Sequence, residues 1–415
     1  MLRCTLLPLA AALACGPLAE SAAPSTRVAD PPPGVGADNP APTPTPTTSG
    51  WTALPIAPGC TVQVADAPAA LKAPLDWRPC VGGPGGCSEL SRADANLAVQ
   101  GLGHGDRVSL AVFESLPGPR ARYLLTPRDG PPFFAVEGPR DTQCSLAIVG
   151  LSDDGAVVEI SFDNADGFAS RAYLRGPLAD DPAWRRVTAV LPRRDYPDFI
   201  GESVFSAGGR VVVEQNGGPL RWFDAETKRW HEVPGSHDGW ACCARGHGDA
   251  VTFLIESIPE RTLAARLGEP AHPLRRGAVD GISPIAIEGT RAVWLEGRGR
   301  DNNNLYRRIE LWTGALGPGL TLEDATLVTA LPRTTMTTPT LGGGTVTVPL
   351  QDRGLLILRP GEPGTRTFMP PAGLMIERLL WVTRDEIAVE IGPGGRHVEP
   401  SRIQRIPLAA LPPSP

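Results

Sequence analysis

The chain has 415 residues, 41% of them hydrophobic, and a net charge of −6, so it can bury a large core and lacks the charge-rich, apolar-poor signature of disorder. Lys72 and Lys228 are the only lysines among 39 basic residues, and this mildly acidic balance offers no basic field to nucleic acid or anionic lipid. Gly (47) and Pro (46) together make up about 22% of positions against about 12% in an average protein, which disfavours long uninterrupted helices.

Met1-Leu2-Arg3 precedes an apolar stretch from Leu6 to Ala14, about half the length a membrane-spanning helix needs, so residues 1–14 read as a signal peptide. Ala12 and Ala14 suit a signal peptidase, and Cys15 stands where a bacterial lipobox carries its lipidated cysteine, although Ala12 replaces the usual Leu. Lipidation of Cys15 is the expectation, with ordinary secretion after Ala14 as the alternative. No later run reaches about 18 apolar residues, so any membrane attachment would rest on that one lipid. Residues 15–50 are rich in Pro, Ala and Thr, ending Pro40-Ala41-Pro42-Thr43-Pro44-Thr45-Pro46-Thr47-Thr48, a composition that buries nothing and favours extended polyproline conformations. At about 3 Å per residue such a tether would hold a folded domain up to roughly 100 Å from a membrane.

From residue 51 onward a short polar turn followed by an alternating apolar strand recurs seven times. The copies are Gly105-Asp106-Arg107-Val108, Asp154-Gly155-Ala156-Val157, Gly208-Gly209-Arg210-Val211, Gly248-Asp249-Ala250-Val251, Gly289-Thr290-Arg291-Ala292, Gly343-Gly344-Thr345-Val346 and Asp385-Glu386-Ile387-Ala388. Their spacing of about 40 to 54 residues is that of a four-stranded β-propeller blade. An apolar strand precedes each turn, and a third strand such as Arg122-Tyr123-Leu124-Leu125 or Leu355-Leu356-Ile357-Leu358 follows in several copies. The expected fold is an all-β, single β-propeller over residues 51–415 with seven blades, six or eight being the alternatives. A strand from one terminus should complete the blade of the other, drawn from the non-repeating lead-in 51–95 or from the tail Ile403–Leu408.

The fifth copy, Ala286-Ile287-Glu288-Gly289-Thr290-Arg291-Ala292-Val293-Trp294, followed by Arg298, Asn302 to Asn304 and Tyr306, resembles the repeats of periplasmic TolB-like propellers. Leu151-Ser152-Asp153-Asp154-Gly155 resembles the Ser-Pro-Asp-Gly turn of the same group without its proline. The resemblance implies a propeller and an extracytoplasmic setting; it implies no particular activity, because propellers host many functions.

Setting aside Cys4 in the signal peptide and Cys15, six cysteines remain: Cys60, Cys80, Cys87, Cys144, Cys242 and Cys243. An even number in a chain bound for an oxidising compartment reads as disulfides. Cys60, Cys80 and Cys87 lie close enough in sequence to staple the lead-in onto itself or onto the ring. Adjacent side chains of a strand point to opposite faces, so Cys242 and Cys243 are expected to find different partners. Cys-Cys-x3-His, ending at His247, is no established zinc spacing, and no metal site or cofactor is expected.

No Gly-x-Ser-x-Gly elbow, phosphate loop or His-Glu-x-x-His motif occurs, which weighs against an enzyme. In a propeller the loops after each second strand share one rim. There Glu114, Asp163, Asp166, Glu256, Arg298, Arg300 and Asp352 are the candidate ligand-binding residues, with Glu214, Glu296 and Glu390 at matching strand ends. Two classes follow. The first is an extracytoplasmic, lipid-anchored binding or scaffold protein for an envelope or extracellular protein, peptide or glycan, acting as a monomer, with Trp222 and Trp230 as further contacts. The second is a secreted glycan hydrolase or lyase using two rim carboxylates as acid and base.

Overall fold

The computed structural model describes Thr45–Pro46 and most of residues 51–413; 1–44, 47–50, 67–70, 72–74, 82, 92–96, 105–106, 142, 164–168, 177–184, 188–202, 215–217, 238–239, 257–260, 276–279, 302–305, 332–335, 351–353, 394–400 and 414–415 lie outside the description. Each sequence repeat folds as an antiparallel hairpin of the first two strands of a blade, and seven such sheets form a β-propeller. The described residues contain no α-helix; the one helical turn is the short 3-10 segment Leu408–Ala410.

The turns show why the repeats carry glycine. Gly208 and Gly209 have φ values of 54° and 74°, and Gly343 and Gly344 have 57° and 71°. Two successive left-handed residues make the tight turn whose twist matches a hairpin, and only glycine enters that region without strain. The inner strands are Leu97–His104, Cys144–Ser152, Ser203–Ala207, Trp240–His247, Ala286–Glu288, Thr340–Gly342 and Met375–Val382. They crowd around the axis, and small residues let them do so. A Cβ placed on Gly150 would stand 1.5 Å from the carbonyl oxygen of Val204 in the next blade, and one on Gly246 would stand 2.2 Å from that of Ser206. Between blades, alternating apolar residues of facing sheets interlock, as with Leu146, Val158, Ile160 and Leu174 of blade two against Val62, Leu125 and Val136 of blade one.

The ring closes by the pairing of the two regions that were expected to supply the closing strand. Ser88–Ser91 lies antiparallel on Arg402–Pro407, with Leu90 opposite Ile403 and Glu89 opposite Gln404, and so completes blade seven outside Met375–Val382 and Glu386–Gly392. The preceding hairpin, Thr52–Ala57 with Cys60–Asp66, takes no part in closure. It extends the outer edge of blade one by pairing with Phe134–Pro139 and itself carries Thr45–Pro46 on Thr52–Ala53, which makes that sheet seven-stranded. Two disulfides secure the lead-in. Cys60–Cys144 ties the hairpin to the first residue of blade two's inner strand, and Cys80–Cys87 staples the segment before the closing strand onto itself. Cys242 and Cys243, grouped with the others as disulfide candidates, lie outside both bridges, because the four remaining cysteines of the domain satisfy one another.

Polar contacts join neighbouring blades. The Asp154 carboxylate of blade two accepts from the Gly209 N–H and the Ser206 hydroxyl of blade three, at 3.0 and 2.6 Å. Glu288 of blade five accepts from the amides of Gly343 and Gly344 in blade six, at 2.7 and 2.9 Å. Arg378 of blade seven donates to the Val99 carbonyl of blade one at 2.8 Å, across the seam where the ring closes.

Candidate functional site

Strand register sets several acidic residues at one level. Leu97 stands opposite Glu114, Ser203 opposite Glu214, Trp240 opposite Glu256, Ile282 opposite Glu296 and Arg378 opposite Glu390. Each acid thus sits where the second strand reaches the rim, beside the start of the inner strand or the short segment before it. Each described acid turns to a partner close by.

Glu114 receives both Nε and Nη2 of Arg122, at 3.2 and 2.5 Å. Glu390 receives Arg378 in the same two-pronged way, at 3.0 and 2.8 Å. Glu296, fully buried, accepts from Arg275 at 2.7 Å, from Arg298 at 2.6 Å and from the Trp294 indole at 3.0 Å. Nearby, Glu310 accepts from Trp312 and pairs with Arg308 at 2.8 Å and Arg298 at 3.6 Å. In the middle of the second strand of blade two, Glu159 pairs with Arg171 at 2.9 Å, and burial pushes its carboxyl above the ordinary range. Burial and the Glu159 charge also push Tyr123 up to about 12. A forked arginine–carboxylate pair neutralises charge while fixing geometry, so these acids serve as struts of the blades.

Of the sequence candidates, Asp163 ends the second strand of blade two, half-buried, its N–H on the Gln143 carbonyl. Arg298 joins the Glu296–Glu310 network, and Arg300 lies over the Tyr306 ring at 5.8 Å. The backbone of Glu256 is paired but its side chain, like Asp166, Asp352 and Cys15, lies outside the described residues. Trp222 is not a surface contact. It is buried between blades three and four, stacked on His231 at 4.6 Å with Arg210 over its face at 4.3 Å. Trp230 packs in part against Tyr173 and Phe223.

The most distinctive grouping lies on the axis side of blades two to four. In the inner strand of blade four the register jumps from Cys242 opposite Leu254 to Arg245 opposite Thr252, a bulge in which Cys243 takes a left-handed φ of 60°. Glu214 of blade three grips this bulge, accepting from the Ala244 N–H at 3.2 Å while the Ser203 hydroxyl donates to it at 2.6 Å. Burial raises the Glu214 carboxyl; Ser203, the bulge amides and Arg245 oppose the rise. Burial lowers the Arg245 guanidinium, with Cys243, Glu214 and Asp153 pulling the other way. His247, at the end of the same strand, is half-buried, with both ring nitrogens buried and neither hydrogen-bonded, and its Nδ1 lies 3.9 Å from Asp153. Among the described residues no three His, Cys, Asp or Glu converge to hold a metal ion.

Sequence reasoning missed Arg245 and Asp153. The signal for Arg245 was an arginine inside Ala241-Cys242-Cys243-Ala244-Arg245-Gly246, a run otherwise of small residues in an inner strand. A group whose carboxyl is raised on folding adds stability below its unfolded pKa and loses it as pH rises through the folded value. Glu214→Gln retains an oxygen for Ser203 and removes that titration. Urea unfolding between about pH 4 and 8 should therefore show a flatter stability profile than the wild type, with the variant gaining at the high end. An unchanged slope would show that Glu214 does not carry it.

No protein-family model matches the chain, and no curated protein matches it in sequence. Solved β-propellers match in structure. The oligogalacturonate lyase in complex with manganese aligns over 82% of this chain and 98% of its own, at 11% identity and a TM-score of 0.47. The β-propeller domain of the Trilobed protease from Pyrococcus furiosus aligns over 75% and 98%, at 10% identity and 0.40. The puromycin-hydrolyzing peptidase of Mycobacterium tuberculosis aligns over 60% of this chain, at 14% identity and 0.38, and the match spans 43% of the peptidase. These are likenesses of fold, and none transfers a substrate or an activity.

Proposed function

We propose that this protein is an extracytoplasmic propeller, anchored by a lipid on Cys15 and held out by the 15–50 tether, that binds an envelope or extracellular protein, peptide or glycan through its loop-rich rim. The observation that supports binding over catalysis is the commitment of the described rim acids. Glu114, Glu296 and Glu390 are each neutralised by arginine, whereas acid–base chemistry needs carboxylates turned toward substrate. The two disulfides suit an oxidising compartment, and no described helix is long and apolar enough to cross a membrane. The TolB-like character of the repeats and the lipobox-like placement of Cys15 support the same setting.

In this reading Arg300, with Asp163, Asp166, Glu256, Arg298 and Asp352, supplies polar contacts around the rim. The enzymatic alternative rests on Glu214, a buried carboxyl of raised pKa beside Arg245 on the axis side of the ring. One experiment separates them. The mature chain is titrated calorimetrically with a panel of soluble glycans and envelope-derived peptides, and the same mixtures are assayed for cleavage. Saturable binding that falls at least about tenfold in Arg300→Glu, with unchanged far-UV circular dichroism, supports the binder. Glycan cleavage abolished by Glu214→Gln overturns it in favour of the enzyme. For the anchor, Cys15→Ser should move the protein from the membrane fraction to the soluble fraction of its native host; retention in the membrane overturns that part.

A further inference from the structure

We propose that Cys242 and Cys243 form a vicinal disulfide, a redox-modification site on the inner strand of blade four. Four observations carry this. The two sulfurs lie 2.9 Å apart, although adjacent side chains of a regular strand point to opposite faces. The bulge explains the difference: Cys243, at φ 60°, swings its side chain back to the side of Cys242. That conformation is held from outside the strand, since the Glu214 carboxylate of the neighbouring blade fixes the amide of Ala244, the residue that completes the bulge. The other four cysteines of the domain are joined as Cys60–Cys144 and Cys80–Cys87, so within the folded domain each of the pair has the other as its partner for oxidation.

Access is asymmetric, which sets the order of the chemistry. Cys243 is exposed and Cys242 is half-buried, so an oxidant reaches Cys243 first. The oxidant is a disulfide of the oxidising compartment, either oxidised glutathione or a dithiol oxidoreductase. The Cys243 thiolate attacks one sulfur of that disulfide, the donor S–S bond breaks, and one donor thiolate leaves. The Cys242 thiolate then attacks the Cys243 sulfur, closing the ring and expelling the second donor thiolate. Two electrons pass to the donor, and the two protons lost by the cysteines end on its thiols. The product is an eight-membered ring that locks the bulge covalently in the conformation Glu214 already favours.

Peptide mapping of the full chain tests this without a variant. The protein is prepared without reductant, equilibrated with oxidised glutathione, denatured in iodoacetamide and digested with trypsin. Cleavage after Arg229 and Arg245 places both cysteines in the single peptide 230–245. The expected peptide is lighter than its dithiol form by two hydrogen atoms and carries no alkyl group; after reduction it takes up two. Three results overturn the proposal: two alkyl groups without reduction, a persistent glutathione adduct, or linkage of either cysteine to another peptide.

Discussion

Replacing Cys60 and Cys144 together with serine should lower the stability of the domain by about 4.5 kcal/mol, the loop-closure entropy returned to the unfolded chain when a bridge spanning 84 residues is removed. The bridge is the one covalent tie between the outer hairpin of blade one and the inner strand of blade two. Its loss should therefore act beyond the hairpin. Both sulfurs are buried in the apolar layer between these blades, where serine hydroxyls would be desolvated, so the entropic figure is a lower bound. Chemical denaturation of the double variant, compared with the wild type under non-reducing conditions, is the measurement. A shift under about 1 kcal/mol would mean that the hairpin is held by its strand pairing with Phe134–Pro139 alone.

Gly150→Ala should cost at least about 3 kcal/mol, a large penalty for a single methyl group. The added carbon would fall within bonding distance of the Val204 carbonyl oxygen, an atom of the backbone that cannot rotate aside. The inner strands of blades two and three must then separate, and the hydrogen bond from the Ser152 hydroxyl to the Ser206 carbonyl, at 2.7 Å, should be weakened with them. Gly118→Ala is the natural control for an added methyl group, because nothing stands within 4 Å of the corresponding carbon, although its φ of 78° carries its own strain. A thermal or urea transition for Gly150→Ala indistinguishable from the wild type would show that the two inner strands do not meet as described.

What could be read from the sequence is local, and what could not is long-range. Gly208-Gly209 and Gly343-Gly344 announce tight hairpins, and the alternation after them announces strands, so the blades and their number were legible. The pairing of the closing strand was narrowed to two regions, which in fact bind each other. The destination of the Thr52–Asp66 hairpin was not legible, because strand pairing at an outer edge leaves no motif in either partner. Glu114, Glu214, Glu256, Glu296 and Glu390 lie at the strand ends where the pattern put them, but side-chain partners such as Arg275, 21 residues from Glu296, and Ala244, 30 from Glu214, were not legible. The Cys243 bulge was invisible for a similar reason. A left-handed cysteine is disfavoured by its own backbone and is sustained by contacts from another blade.

The pairing of Ser88–Ser91 with Arg402–Pro407 also sets the order in which the molecule can be built. Blades two to six are each made from consecutive chain and can begin to form as soon as their own residues are available. Blade seven cannot. Its fourth strand, Ser88–Ser91, precedes blades two to six in the chain, and its third, Arg402–Pro407, follows them. The seam therefore stays open until Arg402–Pro407 is available to pair with Ser88–Ser91. A chain cut short before residue 402 would leave the strand edges on both sides of the seam exposed to aggregation.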